Sequence, residues 1–280
     1  MHTRLLLSLV CSLVGIGAWA QSPDTIRHVL SRVVLITAQD ENGKPMAFGS
    51  GFVIDAEGRI ASKLHVLAGA SSASVRFVNQ SEKFAVRSVS AFSPDWDLVI
   101  LRIDKNSTPL APGDSTRLQI GDRVLAFGNP EGLEGTVSEG IVSALRKLDG
   151  EIRLIQITAA ISPGSSGGPV TDRDGKVVGL ASASILSGQN LNFAIPIEYL
   201  KRLVANGLKE LAMADLKRNV DVSLALPLFP EKSAGQVKAL DFHSVGASVP
   251  CPARVRGDEQ TLSLASRTTS TGTFGMFAFW

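Results

Sequence analysis

Short apolar runs separated by glycine-bearing turns fill the chain from Asp24 to about Ile197. Val33-Val34-Leu35-Ile36 is one such run, and Gly51-Phe52-Val53-Ile54 is the next, with Glu57-Gly58 turning it into Arg59-Ile60-Ala61. Ser74 to Val78 alternates polar and apolar residues, the period of a half-buried strand. Phe84–Val89, Leu98–Ile103, Arg123–Phe127, Gly140–Ala144, Arg153–Ile157 and Lys176–Leu180 continue the series. Strands this short and this closely spaced predict an all-β barrel or sandwich and not a βαβ sheet. A polar stretch from Asp104 to Thr116, with Pro109, Pro112 and Gly113, divides them into two sets of similar length. It reads as a linker between two six-stranded barrels, about 25–104 and 117–197. Helical patterns flank the strands. One contains His28; the other runs from Glu198 to Val204 behind Pro196, a residue well tolerated in a first helical turn. Leu208 to Leu216 either extends this helix or forms a second one. Apolar periodicity fades after about Asn219, and residues 206–280 stand as an unassigned C-terminal extension whose aromatic end, Thr273 to Trp280, is expected to be a strand or tail packed on the body.

The N-terminus changes the picture of where this fold operates. Arg4 precedes an apolar stretch, Leu5 to Ala18, that ends in Ala18-Trp19-Ala20. This is the pattern of a secretory signal peptide over residues 1–20, and it is short of the roughly 20 residues of a spanning helix. An exported, periplasmic location and no stable membrane span are the expectation. Cleavage after Ala20 removes Cys11 and leaves Cys251, so the mature chain has no intrachain disulfide and depends on its core. The 280 residues, 44% hydrophobic and 19% charged, are enough for that core. A formal net charge of +2 with no basic run excludes a nucleic-acid binder.

Candidate chemistry centres on Ser162-Pro163-Gly164-Ser165-Ser166-Gly167-Gly168-Pro169. A nucleophilic serine needs a base for its proton and N–H donors for the oxyanion that forms. Ser166 is the candidate nucleophile, and Gly164, Ser165 and Ser166 are the candidate oxyanion-hole residues, Gly164 and Ser166 being best placed to offer N–H groups. Among His28, His65 and His243, the base is assigned to His65, which follows a strand at the start of a short helical turn. Asp97, at the mouth of the apolar strand Leu98 to Leu101, is the candidate to orient the imidazole, with Asp95 its rival. The order His, Asp, Ser is the chain order of the chymotrypsin fold, with the first two residues in one barrel and the serine in the other.

The sequence resembles the HtrA (Deg) family of trypsin-like serine proteases. Gly49 to Asp55 with Leu64-His65-Val66 looks like its histidine block, and Asp97 to Leu101 like its aspartate block. Gly128 to Gly132 with Thr136 to Ala144 resembles the opening of its second barrel; Ala159 to Pro169 looks like its serine block. Asn192-Phe193-Ala194-Ile195-Pro196 resembles its substrate-backbone strand. The likeness covers roughly residues 25–205 and implies a protease domain over 21–205, a double β-barrel, a triad of His65, Asp97 and Ser166, protein or peptide substrates, and no metal or cofactor. Many members are trimers, so a homotrimer is an expectation, as is a role in envelope protein quality control. A non-catalytic peptide-binding or chaperone-like protein on the same fold is the alternative. The chain departs from the family pattern at Ser165 and Thr158, where asparagine and aspartate are usual, and no PDZ domain is recognisable in 206–280. Ala160, six residues before the nucleophile, is placed by the resemblance at the base of the specificity pocket. Alanine there implies cleavage after small or apolar residues.

Overall fold

Residues 22–129, 135–148, 150–184, 192–213 and 215–216 are described by the computed structural model. The expected signal peptide, the Pro130-Glu131-Gly132 segment, His243, Cys251 and the aromatic C-terminus lie outside them. A short helix, α1 (Pro23–Leu30), leads in; the Ser22 hydroxyl accepts from the Asp24 N–H at 3.2 Å, and Pro23 occupies its first turn. Six antiparallel strands follow: β1 (Val33–Gln39), β2 (Pro45–Val53), β3 (Arg59–Lys63), β4 (Ser72–Phe77), β5 (Lys83–Ser93) and β6 (Leu98–Ile103). They close in the order β1-β2-β3-β6-β5-β4. The second barrel is built from β7 (Arg123–Gly128), β8 (Thr136–Leu148), β9 (Glu151–Ile157), β10 (Pro169–Thr171), β11 (Val177–Ser184) and β12 (Asn192–Pro196), in the order β10-β11-β12-β9-β8-β7.

The uninterrupted apolar runs have a physical cause. In β6, Val99, Leu101 and Ile103 fill the first barrel with Val34, Ile36, Ile60 and Val75. Leu98 and Ile100 face the other way, into a second cluster with Phe52, Phe127, Leu180 and Tyr199 that joins the barrels. A strand buried on both faces cannot alternate, because neither face meets water. Val124, Val142, Ile155, Ile157 and Val170 fill the second barrel.

Two details differ from the sequence expectation. β10 was not among the predicted strands; at three residues beginning on Pro169, it has too little length for a period to show. Residues 208–216 do not extend the helix that precedes them; the second-helix alternative holds only at the end, where Met213, Asp215 and Leu216 are helical and the Leu216 N–H donates to the Ala212 carbonyl at 3.2 Å. The helix α2 (Ile197–Ala205) ends before Gly207, whose φ of +93° suits the left-handed position after a helix. The chain then runs extended along the first barrel, where Leu211 and Val89 exchange backbone hydrogen bonds of 2.8 Å. Met213 and Leu216 are buried in the first core. The start of the extension is therefore a strap on the first barrel. Among the described residues no helix is long and apolar enough to cross a membrane.

Candidate active site

Asp97 ends the turn that feeds β6. Its φ of +50° is left-handed, uncommon for a residue other than glycine, and its N–H donates to the Pro94 carbonyl at 3.1 Å. The side chain, 2% exposed, points back along β3. There Leu64–Leu67 forms a single 3-10 turn, and the His65 N–H donates to Asp97 Oδ1 at 2.8 Å while His65 Nδ1 lies 2.6 Å from Oδ2. One carboxylate thus fixes both the backbone and the ring of His65. Lys63 Nζ sits 3.3 Å from the same Oδ2. Burial raises the Asp97 carboxyl, but the Lys63 ammonium first and His65 second outweigh it and hold it below the usual carboxylate range. Asp95, the rival, is exposed.

The serine loop is organised by a tight turn. The Ser165 N–H donates to the Ser162 carbonyl at 2.9 Å, and Gly164 has φ +90°. Proline at the second position cannot take positive φ, so Ser162-Pro163-Gly164-Ser165 is a type II turn, with glycine where positive φ is required. The Ser165 N–H is committed to that turn, which corrects its assignment as an oxyanion-hole residue. Among the described residues, no protein acceptor takes the N–H of Gly164 or that of Ser166. Two unpartnered donors on alternate residues form a concavity suited to an anion beside the Ser166 hydroxyl. The Ser166 hydroxyl donates to the Ser182 carbonyl at 3.1 Å. Gly167, φ +88°, packs where a Cβ would collide with the Ser50 carbonyl and the Ser62 hydroxyl, so the loop can touch the first barrel.

Ser50 makes that contact specific. Its N–H donates to the Ser166 carbonyl at 2.8 Å, and its hydroxyl donates to the Gly164 carbonyl at 2.7 Å. The same hydroxyl accepts from Asn129 N at 2.9 Å and Asn129 Nδ2 at 3.2 Å, which fills its hydrogen-bonding capacity. Ser50, Asn129 and Lys63 had no role in the sequence expectations. Lys63 alone carried a signal, as the one Lys, Arg, Asp or Glu side chain between Arg59 and Arg76. The Thr158 departure is locally satisfied, since Thr158 Oγ1 accepts from the Ile141 N–H at 2.9 Å.

The predicted substrate strand needs correction. Asn192, Phe193 and Ala194 pair with Ser184, Ala183 and Ala181 on one side and with Ile157, Gln156 and Ile155 on the other. With both edges used, β12 has no backbone left for a substrate. The open edge belongs to β11. Ala181 exchanges 2.8 Å hydrogen bonds with Gly167 and Gly168, and Ser182 to Ser184 run on beyond the last β10 partner. Ala160 is exposed, and its carbonyl accepts from the Ser138 hydroxyl at 2.6 Å. Among the described residues no cluster of three or more His, Cys, Asp or Glu side chains is arranged to hold a metal ion. What the residues offer is an imidazole held by a buried carboxylate, a serine hydroxyl in a tight loop, and two N–H groups without a protein acceptor among the described residues.

Known proteins resemble the chain over this region. A profile of the trypsin-like peptidase domain matches residues 49–180. The serine protease HhoB of Synechocystis is 36% identical over 166 residues, covering 56% of this chain and 39% of its own. A DegP-like periplasmic serine endoprotease of Pseudomonas putida is 38% identical over 166 residues, 57% of this chain and 34% of its own. This chain thus spans well under half the length of the curated relatives it matches. The crystal structure of Deg5 superposes with a TM-score of 0.56 at 31% identity, covering 65% of this chain and 91% of that one.

Proposed function

The chain belongs to the HtrA (Deg) family of trypsin-like serine proteases, and from that membership we propose that it is a serine endopeptidase working through an acyl-enzyme, with Ser166, His65 and Asp97 as its triad. The observation that carries the proposal is the 2.6 Å contact of His65 Nδ1 with Asp97 Oδ2, together with a serine loop offering two unpartnered N–H groups.

A substrate adds as a strand to the open edge at Ser182 to Ser184, which brings its scissile carbonyl to Ser166. The Ser166 hydroxyl leaves the Ser182 carbonyl and gives its proton to His65 Nε2 as Oγ attacks the carbonyl carbon. Asp97 holds the Nδ1–H and stabilises the imidazolium. Negative charge on the former carbonyl oxygen falls to the Gly164 and Ser166 N–H groups. His65 then protonates the departing amine. Water, losing a proton to His65, attacks the acyl-enzyme and releases the carboxylic acid, and the Ser166 hydroxyl is restored. Small or apolar residues on the acyl side follow from Ala160, export follows from residues 1–20, and a role in envelope protein quality control follows from the family membership.

The test is labelling by a fluorophosphonate probe alongside casein cleavage. Wild type is expected to label at one serine and cleave, while Ser166→Ala does neither and keeps its thermal midpoint. A folded wild-type chain that neither labels nor cleaves identifies a peptide-binding protein on a protease fold instead.

A further inference from the structure

Lys63 is the last residue of β3, two positions before His65, and its side chain is fully buried. Its ammonium touches two acceptors, Asp97 Oδ2 and the Trp96 carbonyl, each at 3.3 Å. Asp97 Oδ2 is also the oxygen that meets His65 Nδ1 at 2.6 Å. Two nitrogen donors, one a permanent cation at neutral pH in water, therefore share a single carboxylate oxygen in a closed site. A buried ammonium needs a counter-charge wherever it lies, and Asp97 meets that need. The consequence here is that the counter-charge is the one that the imidazole also uses.

The surrounding charges are few. Asp97 is the charged group acting on Lys63, and Lys63 and His65 are those acting on Asp97. Asp95, at the other side of the turn, is exposed to solvent, and the Arg153 guanidinium lies over the Trp96 ring at 4.7 Å. Burial pushes the Lys63 ammonium down, and the Asp97 charge and hydrogen bond oppose it.

Resting on the peptidase function above, we propose that Lys63 is a positioning residue of the triad, whose ammonium takes up part of the Asp97 charge that the imidazole also uses and so sets where the acid limb of the reaction falls. The ammonium and the ring share contacts that put them no more than about 6 Å apart, a separation at which a unit charge in a partly screened site shifts a titration by about one to two pH units.

The experiment is the pH profile of kcat/KM on an apolar chromogenic peptide, using the full chain. Lys63→Met keeps the stem and removes the charge, and the acid limb of its profile is expected to move up by about one to two pH units. Lys63→Gln, which keeps a hydrogen-bond donor, is expected to show the same displacement, and it serves if the methionine variant does not fold. A purely structural lysine predicts lower stability with an unmoved acid limb, and that result in either folded variant overturns the proposal. Fluorophosphonate labelling separates the two levels. Where the wild type labels but the folded variants leave the acid limb unmoved, only the role of Lys63 is lost; where the wild type does not label, the peptidase function is lost and this role with it.

Discussion

The Ser50 hydroxyl donates to the Gly164 carbonyl across the two barrels at 2.7 Å, so a side chain of β2 holds the turn that leads into Ser166. Ser50→Ala removes that donor and also leaves the buried Asn129 N–H groups without the oxygen they share. Losing partners for buried polar groups costs about 1–3 kcal/mol. The expected outcome is a loss of that size in urea denaturation together with slower fluorophosphonate labelling of Ser166. A variant that labels at the wild-type rate would show that the serine loop keeps its shape without Ser50.

Gly164→Ala separates turn geometry from stability. At φ +90° an alanine is strained by about 1–2 kcal/mol, and the turn relieves this by rotating the Pro163–Gly164 peptide, which carries the residue-164 N–H out of the concavity. Removal of one oxyanion donor lowers kcat by about 10²–10³. A large fall in kcat with little change in KM and a modest loss of stability is expected from steady-state kinetics and denaturation. Equal losses in KM and kcat would place the defect in substrate binding instead.

These residues show what the sequence could convey. The two barrels were legible because their strands are apolar on both faces, as Leu98 to Ile103 illustrates, and because Asp104 to Thr116 interrupts the series once. His65 and Asp97 were legible because each sits at the end of such a strand. Ser50 and Asn129 were not, since their roles depend on a contact between barrels, and spacing along a chain does not encode a hydroxyl reaching a carbonyl 114 residues away. β12 was misread for a related reason: an apolar strand looks the same whether or not its edges are paired. The strap at Leu211 was hidden because one pair of backbone hydrogen bonds leaves no period in the sequence.

The turn that presents Asp97 is held by a ring stack. Trp96 lies on Tyr199 of α2 with centroids 3.4 Å apart and planes at 18°, and Tyr199 is buried. Tyr199→Ala removes one ring of the pair that ties this turn to the second barrel. Truncating a large buried aromatic side chain costs about 3–5 kcal/mol, whereas Tyr199→Phe keeps the stack and gives up only the hydroxyl, about 1 kcal/mol. Denaturant midpoints of the two variants check the difference; equal, small losses would mean that the stack does not hold the turn.

Substrate preference tests the pocket independently. Residue 160 brings no carboxylate to the position assigned to the pocket base, so a peptide library is expected to be cleaved after small or apolar residues. A strong preference for arginine or lysine would show that another acid supplies the pocket. Ala160→Asp is the companion variant, expected to move cleavage toward basic residues.

Acid stability probes the Asp97 charge directly. Burial raises this carboxyl, but Lys63 and then His65 overcome the effect and lower it. A carboxyl lowered in the folded state binds its proton less tightly than in the unfolded chain. Its contribution is therefore fully present above the ordinary value of about 4 and is lost as pH falls through the folded-state value. Asp97→Asn removes the charge at every pH and leaves the fully buried Lys63 without its counter-ion. Breaking one partner of a buried pair costs about 3–5 kcal/mol, and this is the loss expected at pH 7. In strong acid the wild-type carboxyl is protonated as well, Lys63 is equally uncompensated in both proteins, and their stabilities converge. Urea denaturation of both proteins at pH 7 and near pH 3 is expected to show the gap narrowing, by about 1 kcal/mol for each pH unit below about 4. A gap that stays constant between the two would mean that the asparagine harms packing and that the Lys63–Asp97 charge pair contributes nothing to the fold.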